Sequence, residues 1–175
     1  MRTDDNTWIG PAMDWILDVD VDAARGAVEG LRRKYPAESN RALVERVFAT
    51  ARLKGTASGV VTGLPSALWL NPPAAAVDMA VMLRLKVKAA ARAALIYDPR
   101  FFDGERSVAE LLRQILGSDF WGEVTLRLRL PPPWRIGGAL FGVVRNWAEM
   151  NAVRDRCIAY FEGQQPFDGA TGLAS

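Results

Sequence analysis

The sequence predicts an all-α fold: a single helical domain built around a central antiparallel hairpin of two apolar helices rich in small residues. Three observations predict it. Apolar residues recur at helical spacing through most of the 175 residues. Helix start and stop residues punctuate those runs. The stretch GTASGVVTGLPSALWLNPPAAAVDMAVML, residues 55–83, holds a single charge, Asp78, and is broken by three prolines.

The elements follow in order. PAMDWILD has Pro11 at a first helical position and offers Met13, Trp15 and Ile16 to a core. DVDAARGAVEGLRRKYP is acidic at its start and basic at its end, as the helix macrodipole favours, and stops at Tyr35 before Pro36. SNRALVERVFATARLKG carries Leu43, Val44, Val47, Phe48 and Leu53 behind a Ser39 cap, and should continue through Thr62. Asn71-Pro72-Pro73 is a helix start, and that helix should run to Tyr97 and stop before Pro99. SVAELLRQILG pairs Ser107 with Glu110 in a capping box and closes on Gly117. TLRLRL, residues 125–130, alternates with period two but has no obvious partner strand, so a helix or an extended edge is expected. The last long helix follows PPPW and reaches about Glu162. The organisation expected is an N-terminal helical segment over 1–37, a helical domain over 38–162 and a flexible tail over 163–175.

Composition excludes several classes of function. A net charge of +2, without aromatic residues interleaved among basic ones, does not suit nucleic-acid binding. The absence of histidine removes histidine-based catalytic triads and the usual zinc sites. Cys157 stands alone and reads as a small buried hydrophobe. One cysteine and an acidic, polar start without a signal-peptide pattern predict a cytoplasmic protein, or one at the inner face of the cell membrane. Asp18, Asp20, Asp22 and Glu29 match positions 1, 3, 5 and 12 of a calcium loop, but Ala23 stands where the turn glycine belongs. The competing reading is a loop leading into a helix with acids in its first turn. GVVTGLPS lacks the lysine of a phosphate loop. No cofactor or metal is expected.

Residues 55–83 pose the main question. Pro65 and the Asn71-Pro72-Pro73 unit are expected to cut the run into two pieces of about 15 Å, half a hydrocarbon core. A single crossing is disfavoured, and a hairpin with its tip at Trp69 and Asn71 fits better. Arg52 and Lys54 precede the run and Arg84, Lys86 and Lys88 follow it, so a hairpin would return its cations to one side, facing an anionic leaflet. Trp69 and Trp134 are candidate interface anchors. Gly55, Gly59 and Gly63 recur every four residues, and Gly138 and Gly142 repeat the spacing, a pattern that lets a neighbouring backbone approach closely. The same apolar, small-residue helices would also make a buried core. Arg84, Lys88 and Arg92 share one helix face, suited to lipid phosphates, acidic partners or plain solvent. Asp78 is the sharpest single position, either a ligand or proton site or one half of an arginine pair.

The middle, ARLKGTASGVVTGLPSALWLNPPAAAVDMAVMLRLKVKAAARAALIYDP, and the end, GGALFGVVRNWAEMNAVRDRCIAYF, resemble the EcsC family of bacterial proteins over about Leu43 to Phe161. The matching positions are Gly55, Gly59, Gly63, Asp78, Arg84, Tyr97 and Asn146; Asp98 departs from the glycine common there in the family. The resemblance implies an α-helical protein associated with membranes and supplies no catalytic residues. Asp78, Tyr97 and Asn146 are thus the candidate buried polar site. The leading expectation is a non-enzymatic peripheral membrane or membrane-adaptor protein in which Arg52, Lys54, Arg84, Lys86, Lys88 and Trp69 meet lipid or a partner. The alternative is a soluble carrier of a hydrophobic, lipid- or isoprenoid-like ligand. A homo-oligomer through the small-residue faces is a further possibility.

Overall fold

The computed structural model describes residues 9–68, 72–104, 107–116 and 138–163, with side chains for 11, 13–55, 80–104, 107–115 and 147–163. Six helices stand among them: α1 (Ile9–Leu17), α2 (Val21–Lys34), α3 (Asn40–Leu68), α4 (Pro72–Tyr97), α5 (Val108–Leu116) and α6 (Gly138–Phe161). No strand occurs among the described residues. The TLRLRL segment and the tail after Gly163 lie outside them.

α4 is the hub, packing against each of the other five helices. Its sequence explains why. Ala89, Ala90, Ala91, Ala93 and Ala94 are all buried, so neighbours can approach its axis from most sides. A helix with small apolar residues on most of its surface suits the inside of a bundle, and α4 keeps Arg84, Lys88 and Arg92 on its remaining face. α3 and α6 pack on α4 and on each other; α1 and α2 cover a further side, and α5 bridges α4 and α6. Phe48, Leu95, Ile96, Leu111, Leu112, Met150 and Cys157 are nearly or wholly inaccessible and join one continuous core.

Local signals set the helix ends. The Asp20 carboxylate accepts from the Ala23 amide at 2.8 Å and caps α2. Ser39 Oγ accepts from the Ala42 amide at the start of α3. Ser107 Oγ accepts from the Glu110 amide at 3.1 Å, but the Glu110 carboxylate turns to Arg113 and Gln114, so the capping box is half made. Pro65 does not end α3, which runs on to Leu68. A proline one turn from a helix C-terminus forfeits a single backbone hydrogen bond, and the helix survives it.

Two levels fix how α3 and α4 lie. Arg32 of α2 donates to the Asn40 side chain at the start of α3 and to the Ile96 carbonyl near the end of α4. Gly55, further along α3, faces Met82 and Leu85, earlier in α4. Over these stretches the two helices run in opposite directions. The connecting residues, 69–71 with Trp69, lie outside the described residues.

Candidate membrane-facing belt and the cationic face of α4

The five cations expected to share a surface separate into three environments. The physical reason is rotation. Successive residues of a helix turn by about 100°, so Arg84 and Lys86 point in nearly opposite directions while Arg84 and Lys88 share a face.

Lys86 is the correction. It is buried, with its side chain 5% exposed, and its Nζ donates to Glu149 Oε2 of α6 at 2.5 Å. It therefore joins two helices inside the bundle and does not reach a head group. Arg52 also turns to α6, donating to Asn151 Oδ1, with its guanidinium 5.3 Å from the Trp147 ring centroid. Lys54 is exposed.

Arg84 faces α1. Its guanidinium lies 4.3 Å from the Trp15 ring centroid, donates to the Trp15 carbonyl and stands 3.8 Å from Asp18. Lys88 and Arg92, one and two turns on, face a crevice of about 60 Å³ whose other walls are Val19, Asp20, Ala23 and Ala24. The acidic run before α2 is therefore a helix cap and a counter-charge for α4. Val21–Lys34 is helical, so Asp22 to Glu29 cannot wrap an ion, and the calcium-loop reading fails. No group of candidate metal ligands occurs among the described residues.

Gly55 is buried, and what covers it is the Met82 side chain of α4 rather than a neighbouring backbone. A methyl group there would lie 2.9 Å from Met82 Sδ and 3.0 Å from its Cε. Gly59, Gly63, Gly138 and Gly142 fall within α3 and α6. Asp78 and Asn146 fall within α4 and α6, but their side chains lie outside the described residues, as does Trp134. Tyr97 closes the opposite end of the bundle. Its ring stacks on Phe161 at 5.1 Å and its hydroxyl donates to Glu162 Oε1 at 3.0 Å. Burial and that carboxylate push the phenol up to about 12. The position thus holds α4 to α6.

Sequence reasoning gave Trp15 and Leu53 to the apolar core and did not single out Trp147. Trp15, Trp147 and Leu53 are the exposed large hydrophobics among the described residues, at 44%, 45% and 68%. Both tryptophans sit under an arginine. The available signal was RNWAEMN, residues 145–151, where polar groups interrupt an otherwise apolar helix.

Register extends the same order to α6. Glu162 stands 3.5 Å from Arg41 near the start of α3, while Asn151 meets Arg52. Phe161 stacks on Tyr97 while Glu149 meets Lys86. α6 thus runs against α3 and along α4.

These features define an all-α bundle organised around one buried alanine-rich helix. No protein-family model, curated protein or solved structure matches the chain. Among the described residues, no helix is long and apolar enough to cross a membrane.

Proposed function

We propose that this is a non-enzymatic peripheral membrane or membrane-adaptor protein of the EcsC type, acting on the cytoplasmic side. In this reading α3 and α4 close as a hairpin whose apolar end enters one leaflet. The observation that carries the reading is the common level of Trp15, Leu53 and Trp147. Gly55 faces Met82 and Leu85, which sets Arg84 and its Trp15 stack opposite residues 53–55. Trp147 lies beside Arg52 at the same level. This is the level at which the charged parts of α3 and α4 give way to residues 55–83.

Tryptophans stacked on arginines, beside an exposed lysine, have the composition of a membrane–water interface. Beyond the belt α3 continues from Gly55 to Leu68, about 20 Å at 1.5 Å per residue. That length enters a hydrocarbon core of about 30 Å without crossing it.

Flotation with vesicles containing phosphatidylglycerol tests the reading. The wild type is expected to float, and Leu53→Glu/Trp147→Glu to stay in the soluble fraction with unchanged helical circular dichroism. A wild type that stays soluble overturns it. If that soluble protein carries a co-purified lipid in native mass spectrometry, the carrier reading takes its place.

A further inference from the structure

We propose that Lys88 and Arg92 form a phosphate-binding crevice with the α1–α2 corner, and that at the membrane its ligand is the phosphate of an anionic lipid head group. The lipid assignment rests on the membrane reading above; the crevice does not.

Three like charges spaced four residues apart on one helix face repel and call for counter-charge. Arg84 has it, in the Trp15 carbonyl and Asp18. Lys88 and Arg92 make no hydrogen bond or ion pair with a described residue, although both are half-buried and line the same crevice. Of the acids nearby, Asp18 stands with Arg84, while the Asp20 carboxylate caps α2 through the Ala23 amide and remains the one negative charge lining the crevice. Two half-buried cations thus share a crevice with a single carboxylate, an excess of positive charge that an incoming anion relieves.

Size and depth agree. A water needs about 10–15 Å³ of such space, so a crevice of about 60 Å³ admits a group the size of one phosphate. Because Asp20 already satisfies the Ala23 amide, the site stands on its two cations and not on the amino end of α2. Lys88 and Arg92 lie about 6 and 12 Å beyond the level of Arg84, away from the apolar end. The head-group layer is about 5–8 Å deep, so Lys88 falls within it and the arginine side chain reaches back toward it.

The experiment uses the full chain, Lys88→Gln/Arg92→Gln, Asp20→Asn, and Arg33→Gln/Lys34→Gln as a control at the far, basic end of α2. Each is floated with neutral and with phosphatidylglycerol vesicles, and each is titrated with inorganic phosphate by amide chemical shift. Circular dichroism verifies folding. Loss of both cations is expected to weaken binding to anionic vesicles about twenty-fivefold, at roughly fivefold per charge. Asp20→Asn keeps the helix cap, removes the opposing charge and is expected to strengthen binding roughly fivefold. The control should stay within about twofold, because its cations lie far from the surface. The wild type should show a saturable phosphate response over residues 19–24 that the double variant lacks.

If the wild type floats and the double variant floats equally well, the crevice proposal is overturned and the membrane reading stands. If the wild type never floats but binds phosphate through these two residues, the crevice stands and the lipid assignment falls. No phosphate response and no flotation overturns both.

Discussion

RLKVK, residues 84–88, places cations at alternate positions, and in a helix alternate positions look in opposite directions. Lys86 therefore goes inward, where Glu149, 63 residues on, receives it. Nothing local to either residue announces that pair, which is why the sequence assigned Lys86 to a surface. Removing one partner of a buried pair leaves the other without compensation. Glu149→Gln is expected to destabilise the protein by about 1–3 kcal/mol in urea unfolding, with Lys86→Met/Glu149→Leu recovering much of the loss. The glycine spacing pointed to Gly55 as a packing position but not to its neighbour, since the Met82 side chain comes from another helix. Gly55→Ala presses on the flexible end of Met82, with Leu85 at ordinary contact distance, and should be near neutral, while Gly55→Leu should cost about 1–3 kcal/mol. Burial pushes the Cys157 thiol up to about 12, so the native protein should resist thiol reagents at pH 8 and react only on unfolding.

Tyr97 gives a pH prediction at the same scale. Its folded-state value, about 12, lies above the ordinary 10.0, chiefly through burial and then through Glu162. The neutral phenol is thus favoured by folding. That contribution is fully present below pH 10 and is lost as the pH rises from about 10 to about 12. Ultraviolet titration should show Tyr97 ionising late, and Tyr97→Phe should remove that step.

Helices were the most legible scale, since caps and stops are local chemistry. Asn71-Pro72-Pro73 and Pro99 bracket α4 at Pro72–Tyr97 as the sequence predicts. Pro65 misled, because a proline's effect depends on how much helix follows it, and here one turn follows. The acids before α2 left a calcium loop and a capped helix as competing readings, since spacing alone does not distinguish them, and the capped helix is what forms. Asp20→Ala should cost about 1 kcal/mol of stability and Asp20→Asn almost nothing, measured by thermal unfolding. Ser107→Ala should cost a similar amount, about 1 kcal/mol, through the lost Glu110 amide bond at the start of α5.

The arrangement of the whole molecule was the least legible in the sequence. The all-α class followed from periodicity, but the hub role of α4 depends on contacts with five helices at once. The shared level of Trp15, Leu53 and Trp147 depends on register among three segments spread from residue 15 to residue 147. That level is also where the account is most exposed to test. Leu53→Cys can be labelled selectively with an environment-sensitive fluorophore, because Cys157 is buried. Ala37→Cys, exposed near the start of α3 at the other end of the bundle, supplies the comparison. On adding phosphatidylglycerol vesicles, the probe at 53 should shift to the blue and be quenched by lipids brominated near the glycerol backbone, while the probe at 37 stays in water. An unchanged probe at 53, or equal changes at both positions, would contradict an end-on, belt-deep contact with the membrane.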